Sequence, residues 1–320
     1  MKIKYNSIFI FYNLMFVVFI SFLVMNTASD RGNYIELFNS PFSNGRIEIV
    51  FQYYMNLFNI LNIPAKFSIA FTSAIIYFLL SKFWLKFFYS NWFFSVLIFN
   101  FIVFSILNYY LGTSIRMGLA MSLSLFFSLK ILNGKLRFIP LFLLTFLVHY
   151  GAILFVLVFS WVFFYRELKV RYHIFIAVFS GFFLLISFKY LLPFFPFPPY
   201  YMQYLNSGFG KTDRFLPFTI IFSLFSLFFI FIKYKVAIFL NKNLYLLSIY
   251  TIPFLILIVF NGNLFFAKML IPLIFVQSLL LSLLYYKLAL TFFGANLFLL
   301  LLCALNVFSI LYALKMYNFI

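Results

Sequence analysis

An all-α polytopic membrane protein is the fold class this sequence predicts, and three observations carry that expectation. Hydrophobic residues make up 66% of the chain and charged residues only 9%, so the polar exterior of a soluble domain cannot be assembled. Apolar runs of about 18 residues or more, each long enough to cross a bilayer, recur along the whole length. No long polar stretch separates them, and they lack the polar–apolar alternation of an outer-membrane barrel strand. The expected architecture is a single transmembrane domain over residues 1–320, with about ten to eleven helices and one short helical hairpin.

The chain opens with Lys2 and Lys4 ahead of an apolar stretch over 8–25. That stretch exceeds the usual ~7–15 residues of a secretory core, so it reads as an uncleaved first span with a cytoplasmic N-terminus. The alternative is cleavage near Asn26-Thr27-Ala28-Ser29. Residues 26–62 then form an outer loop and an interfacial helix. The loop carries Asp30, Arg31, Tyr34, Glu36 and Asn39, and it is followed by Glu48, Gln52, Asn56 and Asn59 at helical spacing. Apolar Ile49, Val50, Phe51, Met55, Phe58 and Leu61 fill the other faces, the pattern of an amphipathic helix lying at the interface. Pro64 is placed to open the next span from its first turn.

Basic clusters orient the chain by the positive-inside rule. They fall at Lys2/Lys4, Lys82/Lys86, Lys130/Lys135/Arg137, Arg166/Lys169/Arg171, Lys233/Lys235/Lys242 and Lys287. Four of the five acids, Asp30, Glu36, Glu48 and Asp213, lie between them, and only Glu167 joins a cluster. Spans outward are then expected at 8–25, 92–111, 174–192, 244–260 and 288–314. Spans inward are expected at 64–80, 115–129, 215–232 and 264–284. The segment 138–165 has basic clusters at both ends. It reads as a hairpin of two short helices with His149-Tyr150-Gly151 at the turn, where glycine supplies the backbone freedom. A single tilted span is the alternative.

The net charge of +18 comes from residues spread through short loops. No basic face or motif accompanies it, so nucleic acid is not an expected partner. One cysteine, Cys303, excludes a disulfide within the chain. No metal motif, phosphate-binding glycine loop, nucleophile elbow or intramembrane carboxylate pair is present. The second outer loop, 193–214, is rich in aromatics and proline, a composition suited to sugar rings and to interfacial anchoring alike.

Ionisable groups within apolar runs are costly and mark candidate sites. Three inward helices begin with small or capping residues and then a cation: Gly112-Thr113-Ser114 before Arg116, Thr212-Asp213 before Arg214, and Asn261-Gly262-Asn263 before Lys268. A cation there opposes the helix macrodipole, so helix stability does not explain it. Free N–H groups beside Arg or Lys suit phosphate. His149 is the ionisable group of the hairpin apex, while His173 falls in a cytoplasmic cluster.

The stretches Ser114-Ile115-Arg116-Met117-Gly118-Leu119-Ala120 and Val148-His149-Tyr150-Gly151-Ala152-Ile153-Leu154 resemble the EpsG family of bacterial polysaccharide polymerases of the Wzy type. The family pattern is roughly I-R-Q-G-hydrophobic-A, then F-H-small-S-A-hydrophobic. Met117 stands where Gln is usual, and Tyr150-Gly151 where a small residue and Ser are usual. Asp30, Tyr34 and Glu48 fit the acidic, tyrosine-containing stretch before the second span, and Lys268 stands where a late Arg is often found. The resemblance covers the first half well and the second half mainly in hydrophobic layout.

It implies a fold similar to the lipid-linked glycosyltransferases (GT-C-like) in a bacterial cytoplasmic membrane, with no metal or cofactor. The implied reaction joins undecaprenyl-diphosphate-linked oligosaccharides at the outer face, extending a capsule, exopolysaccharide or O-antigen. Membrane lipid, a chain-length regulator and a flippase are the expected partners. Arg116, with Arg214 or Lys268, would neutralise the leaving pyrophosphate, and His149 would orient or deprotonate the acceptor hydroxyl. Glu48 would bind the acceptor or serve as base, and Asp30, Arg31 and Tyr34 would contact substrate. Two other classes compete: a membrane acyltransferase using the histidine, and a non-enzymatic lipid-oligosaccharide flippase or transporter.

Overall fold

Small residues and hydroxyls sit where the long helices of this chain meet, which lets apolar helices pack closely in an apolar medium. The computed structural model describes residues 15, 31–42, 48–87, 99, 114–191, 215–261 and 264–292. The expected spans 8–25, 92–111 and 288–314 and the second outer loop, 193–214, fall essentially outside these residues. Among the described residues every regular element is helical and none is a strand. Four stretches among the described residues are long and apolar enough to cross a membrane: Ala65–Leu85, Ile115–Leu132, Val170–Ser187 and Tyr234–Phe260. The chain divides into two compact units, Met1–Ile153 with Ala289–Ile320, and Leu154–Leu288.

In the first unit, α1 (Arg31–Asn39) lies where the sequence reading expected a loop. Its Tyr34 and Phe38, one helical turn apart, are buried. The Phe38 ring meets Phe51 and Phe58 edge-on, at 6.2 and 5.9 Å between centroids. Both partners belong to α2 (Ile49–Ile60), the expected amphipathic helix. Phe51, Met55 and Phe58 face the protein, whereas Ile49, Tyr53, Leu57 and Ile60 form an exposed apolar strip. Gln52, Asn56 and Asn59 occupy the remaining arc, so α2 is fitted to protein, lipid and water at once.

Asn62 ends α2 with φ at 54°. Asn62 and Ile63 return their N–H groups to the carbonyls of Asn59 and Phe58, a Schellman closure. Pro64 then sits at the N-cap of α3 (Ala65–Leu85), one residue before its expected place in the first turn. Tyr54 of α2 shares a 2.8 Å hydrogen bond with Thr72 of α3. Burial pushes the Tyr54 hydroxyl up to about 12, against a smaller lowering by that hydrogen bond.

The helix α4 (Ile115–Leu132) packs along α3; Ser68, Thr72 and Ser73 of α3 and Gly118, Ala120, Ser122 and Ser124 of α4 are all buried. Each of these hydroxyls donates to a carbonyl three or four residues back, so none is stranded by burial. Lys86, just past α3, donates to the Asn133 side chain, just past α4. The two helices therefore run the same way, as the charge pattern of their spans requires. Gly134, at φ 78°, closes α4 by a second Schellman turn, with Lys135 N–H on Lys130 O at 3.0 Å. The chain then climbs back along α4 as a short 3-10 turn, α5 (Ile139–Leu143) and a second 3-10 turn, Leu144–Leu147. Ser124 and Thr145 are hydrogen-bonded at 2.8 Å midway, and a turn at 148–151 precedes α6 (Ala152–Tyr165).

The second unit is organised around α7 (Val170–Leu191), α8 (Phe215–Ile232), α9 (Tyr234–Ile249), α10 (Ile252–Asn261) and α11 (Leu264–Phe292). One expectation fails here. Lys287 lies inside α11 rather than in a turn before a new span, and its ammonium rests 4.7 Å from the Phe239 ring centroid. His173 stands beside the basic residues Lys169 and Arg171. It is fully buried, because α7 starts at Val170 and carries it one turn inside. Its Nε2 faces the Tyr165 carbonyl at 3.2 Å and its Nδ1 the Tyr250 hydroxyl at 3.0 Å. A carbonyl only accepts, so Nε2 holds the proton and a neutral ring receives the Tyr250 hydroxyl at Nδ1.

The helix expected from 244 begins earlier and is broken twice. Asn241 is extended (φ −165°, ψ 104°), and its side chain accepts the Leu244 N–H at 3.0 Å as a helix cap does. At the Tyr250–Thr251 turn, buried Gln277 of α11 donates to Thr251 Oγ1 at 2.8 Å and accepts from Ser223 of α8 at 3.0 Å. A polar break at membrane depth is thus satisfied by protein. Gly181 permits α7 to touch α10: a Cβ there would stand 3.0 Å from Pro253 Cα and 2.7 Å from Ile256 Cδ1. Gly181→Ala is expected to separate these helices and cost about 1–3 kcal/mol by overpacking, seen as a lower thermal midpoint in detergent.

Candidate functional site

A carboxylate placed just ahead of a helix ordinarily accepts that helix's own free N–H groups. Glu48, at the N-cap of α2, makes no such cap bond. Instead its buried carboxylate, 1% exposed, turns toward two other segments. Glu48 Oε2 accepts from Arg116 Nη1 at 2.8 Å, and Glu48 Oε1 accepts from the Tyr150 backbone N–H at 3.3 Å. One side chain thereby joins the start of α2, the start of α4 and the turn before α6.

Arg116 occupies the first turn of α4, its side chain 18% exposed. The expected capping at this helix start is not made: Ser114 is the N-cap but forms no side-chain cap bond. Glu48 supplies the counter-charge that makes a cation tolerable at a positive helix end. It also means that Arg116 is an oriented donor within a neutral pair, not a bare positive charge. Planar guanidinium geometry matters there, because a carboxylate on one edge fixes the direction of the others.

The turn at 148–151 is held from within as well. The Gly151 backbone N–H donates to His149 Nδ1 at 2.9 Å. A ring nitrogen that accepts carries no proton, so a neutral His149 holds its proton on Nε2. In that state the imidazole is a donor through Nε2, and it becomes a base only by giving up the Gly151 contact. The carbonyls of His149 and Tyr150 in turn receive the N–H groups of Ala152 and Ile153, which start α6. His149 is half-buried and Tyr150 exposed.

Gly151 lies in close approach to two side chains. A Cβ at this position would lie 3.0 Å from His149 Nδ1 and 3.0 Å from Met117 Sδ. Met117 and Gly151 are two of the places where the sequence departs from the motifs it resembles, and they face each other. The Met117 sulfur reaches the space that a side chain at 151 would need.

Of the residues expected in the site, Glu48, Arg116 and His149 with its neighbours are brought together. Tyr34 is buried on α1 beneath the packing of α1 on α2 and α3. Arg31 is the first residue of α1, and Lys268 lies within α11, in the other unit. Asp30 and Arg214 lie outside the described residues. Sequence reasoning gave Glu48 a part in binding the acceptor or as base and did not find it as the joint of the site. The available signal was an acid directly before an amphipathic helix, in a chain with five acids. Among the described residues no three His, Cys, Asp or Glu side chains cluster as metal ligands would.

No protein-family model matches the chain, and no curated protein or solved structure matches it.

Proposed function

We propose that this protein is a lipid-linked oligosaccharide polymerase of the EpsG/Wzy kind, with a fold similar to the lipid-linked glycosyltransferases. One observation carries the reading. The two stretches that resemble the family, around Arg116 and around His149, are far apart in sequence, and a single Glu48 carboxylate bonds to both. Three segments gathered on a buried ion pair form a rigid frame for a site.

In the proposed reaction an acceptor hydroxyl attacks the anomeric carbon of the donor sugar. The bond from that carbon to the diphosphate oxygen breaks, and undecaprenyl diphosphate leaves. The hydroxyl proton passes to the departing diphosphate or to water. Arg116 donates hydrogen bonds to the diphosphate oxygens as charge builds on them. Because Glu48 already balances Arg116, the full charge of the diphosphate needs a second cation besides Arg116. His149, with its proton on Nε2, orients a phosphate or hydroxyl oxygen as a donor.

Deleting the gene is expected to collapse a long-chain surface-glycan ladder to a single repeat on the lipid carrier, read on a glycan gel. An unaltered ladder overturns the proposal. Acyl transfer is the second reading, because Glu48 brings to the hairpin the polar partner that its own sequence lacks. A ladder of normal length that has lost its acetyl groups would select it.

A further inference from the structure

At the end of the first unit remote from Glu48, five cations surround the joined ends of α3 and α4: Lys82, Lys86, Lys130, Lys135 and Arg137. The sequence holds no acid between Glu48 and Glu167. In the described part of this unit only Glu36 and Glu48 are acidic. Glu48 is committed to Arg116, and Glu36 lies on α1, which packs beside α2. Helix ends account for part of the cluster, since a cation in a last turn complements the macrodipole, and Lys82 and Lys130 are so placed. Lys86 stands at the C-cap of α3, but helix ends do not account for Lys135, past α4, or for Arg137 in the 3-10 turn that follows. Burial holds the Lys86 ammonium below its ordinary range, and the nearby charge of Lys130 adds to that. Like charges are therefore held together without a balancing carboxylate nearby.

The surroundings are amphipathic. Lys82 lies over the Phe78 ring at 5.3 Å, Lys130 over Phe126 at 5.0 Å and Arg137 over Phe138 at 5.4 Å. Phe78, Leu136 and Leu141 are exposed alongside. Cationic heads above apolar stems and rings match a ligand that is anionic at one end and hydrocarbon at the other. Space is also present, since a Cβ on Gly134 would meet nothing within 4 Å. We propose that the α3–α4 end binds the headgroup of an anionic phospholipid, with Lys86, Lys130 and Arg137 around the phosphate and the acyl chains beside Phe78 and Leu141. The site is distinct from the Glu48–Arg116 pair and does not depend on the reaction catalysed there.

The full-length protein in nanodiscs of phosphatidylcholine, with and without phosphatidylglycerol, provides the test, read by thermal midpoint and by lipids retained in native mass spectrometry. Phosphatidylglycerol is expected to raise the midpoint and to remain bound. The Lys86→Gln/Lys130→Gln variant is expected to weaken retention by about tenfold or more, since each cation near a lipid surface contributes about 1 kcal/mol. If that variant does not fold, Lys135→Gln/Arg137→Gln, in an exposed segment, replaces it with the same expectation. Equal retention of the two lipids, or a variant that still keeps phosphatidylglycerol, overturns the proposal. So does an equal rise in midpoint from inorganic phosphate alone, which would assign the site to a free anion.

Discussion

Arg116→Ala is expected to abolish long polymer while the protein remains inserted, with single-repeat lipid-linked units accumulating. Two effects combine. Removing one donor that meets developing charge costs about 10²–10³ in rate. Removing one partner of a buried pair also strands the other, at about 3 kcal/mol, and the stranded Glu48 carboxylate is 1% exposed. The double variant Arg116→Ala/Glu48→Ala reports on the second effect, the stranded charge. It removes the stranded charge, so the thermal midpoint should recover while polymer stays absent. Polymer returning with the midpoint would reduce Arg116 to a structural partner and overturn its role. Arg116→Lys keeps the charge but loses the planar fork, and should restore only a small part of the activity.

Glu48→Ala is expected to be nearly as severe, for a different reason. On the proposed reading Glu48 acts as a positioning residue rather than the expected base: its two oxygens hold Arg116 and the Tyr150 N–H, and neither task involves moving a proton. Glu48→Gln should therefore retain partial activity, because an amide oxygen still accepts one of the two bonds. A loss of about tenfold corresponds to one charge-assisted hydrogen bond at its weaker limit. That loss should fall on kcat with KM little changed, measured on purified lipid-linked substrate. A Gln variant as dead as the Ala variant, with no change across pH, would instead make Glu48 the base.

Long periodic patterns were legible in the sequence. The amphipathic helix after Glu48, the spans at α3 and α4 and the shared direction of those two helices follow from hydropathy and charge alone. The break at His149-Tyr150-Gly151 was legible because charge at both ends of 138–165 forbade an ordinary span. Contacts between distant segments were not. Nothing local in Glu48 tells that its carboxylate ignores its own helix, since a capping geometry was equally available. The burial of His173 was not legible, because Arg171 and Lys169 suggested a loop, whereas α7 starts at Val170. The α1 helix was missed for its polar composition, although Tyr34 and Phe38 stand one turn apart. Lys287 suggested a cytoplasmic turn, but a single cation is accommodated inside α11 by lying against Phe239.

The pairing of Met117 with Gly151 has an evolutionary consequence. Where one neighbour fills the volume the other vacates, the two positions drift as one character rather than as two. A relative with serine at the position of Gly151 is expected to carry a side chain at the position of Met117 that yields the space, and a chimera that exchanges only one of them should displace His149. Two of the three departures of this chain from the motifs it resembles, Met117 and Gly151, are then expected to change together, with Tyr150 left as a separate one.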